Sequence, residues 1–165
     1  MPAGNRNLRW LALSLVIIAL DQWSKAVVLA RLVLGERVPV IDGAWDFTLA
    51  YNEGVAFSMM GEGSTLQRYG LTLLAVGVAG GLVAWMRRLP VEDRLSPLCF
   101  ALVIGGAIGN AIDRLRLGHV VDFVLWYWRD HYWPAFNVAD SAICVGAVLL
   151  LAAGLFHPKA HGETT

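Results

Sequence analysis

The chain has 165 residues, of which 57% are hydrophobic and 16% charged, and its formal net charge at pH 7 is zero. Soluble domains usually carry about 25% charged residues, so this composition argues against a soluble domain and favours a membrane protein. The balanced charge also provides no basic field for binding nucleic acid, and no such partner is expected.

Four segments are apolar enough to cross a bilayer, which takes roughly 20 mostly apolar residues in a helix. These predicted spans cover residues 8–29, 69–86, 95–112 and 137–156. The first admits Asp21 and Lys25 in its second half, and the fourth extends back to Asn137 only by including Asp140. The pattern predicts a single membrane domain over residues 1–165, all-α within the bilayer.

The N-terminus has two interpretations, a cleaved secretory signal peptide or a retained first helix. Arg6 and Arg9 precede the apolar run 11–20, as they would in a signal peptide. No small-x-small cleavage site follows before Asp21, however, and hydrophobic sequence resumes at Ala26. A retained helix is therefore predicted, and four helices place both termini on one side of the membrane.

The distribution of Lys and Arg predicts the orientation, because cytoplasmic loops are enriched in both. Apart from Lys25, equal numbers lie on the two predicted sides, but their density differs. Arg87 and Arg88 lie in a short loop with Arg94, whereas the opposite cations are spread over two longer loops, residues 31–68 and 114–136. Both termini are therefore predicted to be cytoplasmic, with the longer loops outside.

The first outer loop has the pattern of a small β-sheet. Apolar and polar residues alternate from Trp45 to Tyr51, as in a half-buried strand. Residues 38–41 resemble a second short strand, with Asp42-Gly43 as the turn. Residues 55–60 are apolar enough to lie in the interface. The predicted fold is therefore four transmembrane helices with a small extracytoplasmic β-sheet and an interfacial helix or loop.

The second outer loop is rich in aromatic residues. They are Trp126, Tyr127, Trp128, Tyr132, Trp133 and Phe136. Aromatic belts of this kind are typical of the headgroup level of a membrane, so anchoring is preferred over a direct role in substrate binding.

Neither the cysteines nor the histidines indicate a metal site. Cys99 and Cys144 fall in predicted spans, where thiols usually behave as small hydrophobic groups, and a disulfide between them is the less favoured alternative. The four histidines show no spacing typical of metal ligands.

Polar residues recur at helical spacing near the predicted outer ends of two spans. Asp21 and Lys25 are four residues apart and can form an ion pair on one helix face, and Asn110 and Arg114 repeat this spacing. Two interpretations remain open for the first pair. It is either a structural pair that reaches toward the interface or part of the lining of a polar cleft.

Glycines on the second and third helices indicate close helix packing. They are Gly77, Gly80 and Gly81 on the second helix and Gly105, Gly106 and Gly109 on the third. The sequence leaves open whether they pack within one chain or between chains.

Asp122 and Asp140 have environments that favour opposite protonation states. Asn137 and Asp140 have the spacing of an N-cap and a first-turn carboxylate, and the helix dipole there favours the ionised form. Asp122 lies in an apolar, extended run over residues 120–125, where desolvation favours the protonated form. Aspartic-protease chemistry requires one ionised and one neutral carboxyl group.

Five motifs give the chain a family resemblance. They are Asp21-Gln22-x-Ser24-Lys25, Asn52-x-Gly54-x-Ala56-Phe57-Ser58, Gly106-x-x-x-Asn110-x-x-Asp113-Arg114, Val121-Asp122-Phe123 and Phe136-Asn137-x-Ala139-Asp140-Ser141. In this order, on a scaffold of four spans, the set resembles the lipoprotein signal peptidase family, signal peptidase II. Val55 stands where that family often has Ala, and Ser24 where Thr is common.

The resemblance implies an aspartic endopeptidase of the bacterial inner membrane, with its active site near the periplasmic face. Such enzymes remove the signal peptide of a prolipoprotein just before a Cys that carries a diacylglyceryl group. The implied catalytic dyad is Asp122 and Asp140. The residues implied to bind substrate or order the site are Asp21, Lys25, Asn52, Gly54, Asn110, Arg114 and Asn137.

The implied partners are a lipid-modified prolipoprotein and membrane lipid, and a monomer is expected. No metal or other cofactor is implied, because the dyad itself activates water. A small transporter or proton-coupled channel is the main alternative from the residues alone, since it too carries intramembrane Asp, Lys and Arg. A scaffold protein with a structural Asp pair is the third interpretation.

Overall fold

The computed structural model describes residues 6–54 and 65–156 of the chain. Within these residues it has four long helices and four strands. The helices are α1 (Leu11–Arg31), preceded by a 3-10 turn (Asn7–Trp10), α2 (Thr65–Met86), α3 (Leu95–Leu117) and α4 (Val138–Phe156). The strands are β1 (Arg37–Ile41), β2 (Trp45–Asn52), β3 (Val120–Trp128) and β4 (His131–Tyr132).

Each predicted span contains a helix, but α2 and α3 are longer than predicted. α2 begins at Thr65 rather than at residue 69, and α3 continues to Leu117 rather than ending at residue 112. The prediction for α3 stopped at the first charge, yet Asp113 is only 3% exposed and its carboxylate has partners inside the protein. Gly118, with φ of 89°, ends α3, and its N–H donates to the carbonyl of Arg114.

The helices have the composition of membrane-crossing segments. Three described stretches are long and apolar enough to cross a bilayer, namely Asn7–Arg31, Thr65–Met86 and Leu95–Leu117. The apolar part of α4, Val138–Gly154, is shorter. Many large hydrophobic side chains on these helices are exposed, such as Leu73 at 74% and Leu151 at 69%. This is the architecture of a helical membrane protein.

The loop between α1 and α2 and the loop between α3 and α4 together form one antiparallel sheet, with the strand order β1-β2-β3-β4. β1 and β2 lie where the alternation predicted them, with Asp42-Gly43 in the turn. β3 was predicted only as an extended run, whereas it pairs with β2 and brings Asp122 opposite Ala50. The predicted interfacial segment, residues 55–60, lies outside the described residues.

α3 is the central helix and packs against the other three. A Cβ added to Gly105 would lie 2.8 Å from Cβ of Ile17 on α1, and one added to Gly106 would meet the backbone carbonyl of Ala139 on α4. The predicted close packing is therefore confirmed for α3. Cys99, also on α3, is a free buried thiol, so the disulfide alternative is wrong.

The glycines of α2 do not serve packing within the described residues. A Cβ added to Gly77, Gly80 or Gly81 would have no heavy atom within 4 Å. Of the two interpretations left open by the sequence, packing within the chain is therefore not found for this helix among the described residues, and its glycines lie on an open surface.

Gly106→Ala should destabilise the protein by about 1–3 kcal/mol, because the new methyl group collides with backbone that cannot rotate away. Gly77→Ala is the matched control on α2, where the methyl group has open space. It should be neutral or stabilising by up to about 1 kcal/mol through helix propensity. Unfolding of the two variants in detergent, followed by circular dichroism, measures the difference. Equal midpoints would contradict the packing described.

Candidate active site

The candidate site lies at the end of the helix bundle that carries the sheet. The polar residues of α1, α3 and α4 meet there with the ends of β2 and β3. Asp21 and Asn137 are fully buried, Asp122 is 2% exposed, and Asp140 is half-buried. Because buried polar groups need partners, the hydrogen bonds of this region define its geometry.

Asp122 is the third residue of β3, and each of its carboxylate oxygens accepts a hydrogen bond from a different asparagine. Nδ2 of Asn137 donates to Oδ1 at 2.7 Å, and Nδ2 of Asn52 donates to Oδ2 at 3.0 Å. Asn52 is the last residue of β2, so the β2–β3 pairing brings its amide beside Asp122. The sheet thereby sets the position of this carboxylate.

Asp140 is held in the first turn of α4 by a reciprocal capping arrangement. Oδ1 of Asn137 accepts a hydrogen bond from the backbone N–H of Asp140 at 2.9 Å, and Oδ2 of Asp140 accepts one from the backbone N–H of Asn137 at 3.2 Å. This is the geometry of a capping box, and it confirms the predicted N-cap. Oδ1 of Asp140 accepts a hydrogen bond from Nδ2 of Asn110 at 2.7 Å.

Asn137 connects the two aspartates directly. Its Nδ2 donates to the carboxylate of Asp122, while its Oδ1 accepts from the backbone N–H of Asp140. Nδ2 of Asn137 also lies 3.2 Å from Oδ1 of Asn110 and 3.2 Å from the carbonyl of Val121. The carboxyl groups of Asp122 and Asp140 therefore share a network with only two asparagine amides between them.

Lys25 is the centre of a buried ion-pair cluster that adjoins this network. Its ammonium group lies 2.8 Å from Oδ2 of Asp21 and 2.7 Å from Oδ2 of Asp113, and it donates to Oδ1 of Asn110 at 3.0 Å. The predicted pair of Asp21 and Lys25 is confirmed. Because Oδ1 of Asn110 accepts from the ammonium group, Nδ2 of the same amide is directed toward Asp140.

The two carboxylates of the cluster also hold the segments that carry the candidate dyad. Oδ1 of Asp21 accepts a hydrogen bond from the backbone N–H of Ala139 at 3.0 Å. Oδ2 of Asp113 accepts one from the backbone N–H of Val121 at 3.1 Å. Each contact fixes the residue that immediately precedes a candidate catalytic aspartate in the chain.

Gly54 and Arg114 occupy the margin of the network. The N–H of Gly54 donates to Oδ1 of Asn52 at 2.9 Å, which directs the other end of that amide toward Asp122. Gly54 has φ of 88°, and a Cβ there would lie 2.7 Å from Leu71, so glycine suits both its conformation and its surroundings. Arg114 is half-buried and bonds weakly to the carbonyl of Asn110, at 3.4 Å.

Burial is the largest influence on the protonation of Asp122. It raises the pKa of this carboxyl to about 7 from an ordinary value of 3.8, and the nearby charge of Asp140 adds to the rise. The hydrogen bonds from Asn52 and Asn137 lower the pKa in part, because they favour the charged form. The result is a carboxyl group that exchanges its proton near neutral pH.

Comparison with known proteins identifies the family. The sequence model of signal peptidase (SPase) II matches residues 13–156. The chain belongs to the signal peptidase II family and is a peptidase.

Relatives within this family are similar over most of their length. A lipoprotein signal peptidase of Xanthomonas campestris pv. campestris (strain 8004) is 53% identical over 150 residues, covering 91% of this chain and 90% of the relative. One from Xylella fastidiosa (strain 9a5c) is 47% identical over 163 residues, covering 99% and 98%. The family resemblance stated from the motifs is therefore confirmed.

Solved structures support the same fold. A bacterial membrane enzyme determined by the in meso method at 2.3 Å resolution superposes with a TM-score of 0.81 at 23% identity, covering 95% of this chain and 93% of that one. Another, determined at 1.9 Å, gives a TM-score of 0.76 at 24% identity, covering 89% and 92%. This signal peptidase II family member is therefore an integral membrane protein with apolar helices and a small antiparallel sheet.

Two residues of the cluster were missing from the predicted site. Asp113 pairs with Lys25, and Nε2 of Gln22 donates to Oδ1 of Asp113 at 2.8 Å. Asp113 could have been found, because it lies three residues after Asn110 on the same helix face and a charge at that depth needs a partner. Gln22 offered no comparable signal, since its role depends on how α1 and α3 pack.

Lys25→Gln should destabilise the protein by about 3–5 kcal/mol, because it leaves the carboxylates of Asp21 and Asp113 buried without a counter-charge. For a chain of this size, that loss lowers the unfolding midpoint by roughly 10 °C. Arg88→Gln, at an exposed position, is the control and should change stability by less than about 0.5 kcal/mol. Thermal unfolding in detergent compares them, and similar midpoints would refute the role of the ion-pair cluster.

Proposed function

We propose that the chain is an aspartic endopeptidase that removes the signal peptide from diacylglyceryl-modified bacterial prolipoproteins, cleaving just before the lipidated Cys. The curated relatives are named lipoprotein signal peptidases, which supports the substrate class. The observation that carries the aspartic mechanism is that one residue, Asn137, donates to both carboxylates: its side-chain amide donates to Asp122 and its backbone N–H donates to Asp140. Two carboxyl groups so connected can divide the acid and base roles of peptide hydrolysis.

The proposed reaction begins with water activated by Asp140. Its carboxylate accepts a proton from water as the oxygen attacks the scissile carbonyl carbon, while protonated Asp122 donates its proton to the carbonyl oxygen. In the tetrahedral intermediate that results, the C–N bond breaks as the amide nitrogen takes up the proton held by Asp140. Asp122 recovers a proton from the intermediate when the carbonyl re-forms, so the dyad returns to its starting state.

The assignment of the acid to Asp122 rests on its surroundings. This carboxyl is 2% exposed and its pKa is raised to about 7, so it holds a proton at slightly acid pH. Asp140 lies in the first turn of a helix, where the backbone N–H groups and the dipole favour the ionised form. The two environments therefore favour the division of roles that hydrolysis needs.

The remaining predicted site residues have supporting roles in this proposal. The carboxyl groups are oriented by the side-chain amides of Asn52, Asn110 and Asn137. Lys25 in turn holds the amide of Asn110, and Asp21 holds the backbone at the start of α4. Arg114 is placed differently, since within the described residues it donates to no carboxylate. We propose that its guanidinium binds a carbonyl group of the substrate, while Gly54 orders the site by directing the amide of Asn52.

The proposed setting is the bacterial inner membrane, with four spans, both termini cytoplasmic, the site near the periplasmic face and the single domain active as a monomer. The exposed aromatic side chains on and beside the β3–β4 hairpin support this depth. Trp126, Trp128 and Trp133 are 54–68% exposed, as expected of an interfacial belt. The site would then meet a substrate that is part lipid and part peptide.

Asp122→Asn and Asp140→Asn should each lower the rate of cleavage by at least about a thousandfold while leaving the fold intact, because the amide keeps the shape of the carboxyl group but can act neither as the acid nor as the base. The measurement is gel-shift cleavage of a purified diacylglyceryl-modified prolipoprotein by the full-length protein in detergent. Asp130→Asn, an exposed position in the β3–β4 turn, is the matched control. An unlipidated prolipoprotein tests the substrate class and should not be cleaved.

Persistent cleavage by both dyad variants would overturn the aspartic mechanism. Cleavage of the unlipidated substrate at the same rate would overturn the requirement for lipid, while leaving the dyad in place.

The pH dependence of kcat/KM should have a basic limb near pH 7, because Asp122 can donate a proton only below its pKa of about 7. Asn52→Ala removes a hydrogen bond that favours the ionised form, so it should raise the pKa of Asp122 and move this limb to higher pH. Tyr51→Phe, at the exposed neighbouring position, is the control and should leave the limb in place. A basic limb that moves to lower pH in Asn52→Ala would assign the acid role elsewhere.

A further inference from the structure

A cavity lies between the last turns of α1 and the sheet, outside the network of the candidate dyad. Its volume is about 370 Å³, within the range of ligand pockets. Trp23, Val28 and Arg31 line it from α1, and Phe47 and Phe123 line it from β2 and β3. We call this cavity the α1–sheet groove.

The walls of the α1–sheet groove are almost wholly apolar, and its end is cationic. Among its described lining residues, Arg31 is the charged one, and the hydroxyl of Ser24 already donates to the carbonyl of Asp21 in its own helix. Arg31 is exposed, and no described carboxylate lies within ion-pair distance of it. The groove therefore combines an apolar slot with a guanidinium that lacks a counter-charge in the described part of the chain.

The groove is continuous with the apolar outer surface of the protein. Trp23 is 67% exposed and Val38 is 41% exposed, and both line the groove. Arg31 is the last residue of α1, eight residues beyond Trp23, and eight helical residues extend about 12 Å. An occupant with its head at Arg31 would place its tail alongside Trp23, in the direction of the hydrocarbon core.

We propose that the α1–sheet groove binds an anionic glycerophospholipid of the bilayer, with one acyl chain in the groove and the phosphate on Arg31. Guanidinium groups suit phosphate because they can donate two parallel hydrogen bonds to it. The diacylglyceryl group of the proposed substrate fits the apolar walls but carries no charge for Arg31. Charge complementarity therefore selects the phospholipid, and this inference is independent of the proposed peptidase mechanism.

The test is native mass spectrometry of the full-length protein with phosphatidylglycerol or diacylglycerol of identical acyl chains. Wild type should bind phosphatidylglycerol more tightly than diacylglycerol by about fivefold, the usual effect of one basic residue near an anionic lipid surface. Arg31→Gln should remove this preference. Arg129→Gln, another exposed arginine on the sheet side of the protein, is the matched control and should retain it.

A second variant tests the apolar part of the α1–sheet groove. Val28→Trp fills the groove and should weaken binding of both lipids, with circular dichroism used to check that helix content is kept. If this variant does not fold, Arg31→Gln decides alone, because the exposed arginine is not part of the core. Unchanged preference for phosphatidylglycerol in Arg31→Gln would overturn the proposal. Equal binding of the two lipids by wild type would also overturn it and assign the groove to an uncharged lipid.

Discussion

The ammonium group of Lys25 lies between the carboxylates of Asp21 and Asp113, at 2.8 and 2.7 Å, and all three side chains are almost fully buried. Without this cation the two carboxylates would face each other in a medium of low dielectric, at a cost of several kcal/mol. With it, each carboxylate also accepts a hydrogen bond from a backbone N–H in another segment. Asp21 accepts from the backbone N–H of Ala139, and Asp113 accepts from that of Val121. The same buried ion-pair cluster therefore positions the start of both α4 and β3.

Close helix packing is what allows this cluster to form. Gly109 on α3 lacks the Cβ that would lie 2.8 Å from Oδ2 of Asp21, so the carboxylate can cross the surface of α3 to reach α4. Gly106 likewise lets α4 approach the backbone of α3 beside Ala139. The ion-pair cluster therefore depends on the glycines of α3, because a larger residue would push the helices apart and lengthen these hydrogen bonds.

Asparagine, rather than a charged residue, connects this cluster to the candidate dyad. The amide of Asn110 accepts from Lys25 and donates to the carboxylate of Asp140. The amide of Asn137 accepts from the backbone N–H of Asp140 and donates to the carboxylate of Asp122. An amide can donate and accept at once and adds no net charge, so it orients a carboxyl group while disturbing its pKa less than a cation would. This arrangement suits the acid and base roles proposed for Asp122 and Asp140.

Much of this could be predicted from the sequence, because it depends on local pattern. Hydropathy predicted the helices, and period-two alternation predicted β2, with β1 expected before the Asp42-Gly43 turn. Local spacing predicted the pairing of Asp21 with Lys25 and the cap at Asn137. The ordered motifs indicated the family. Tertiary structure alone decided that β3 joins β2, that Gln22 joins the ion-pair cluster, that α2 turns its glycines outward, and that a groove lies beside α1. These features depend on contacts between residues far apart in the chain, and their free energy comes from packing and burial that no local pattern encodes.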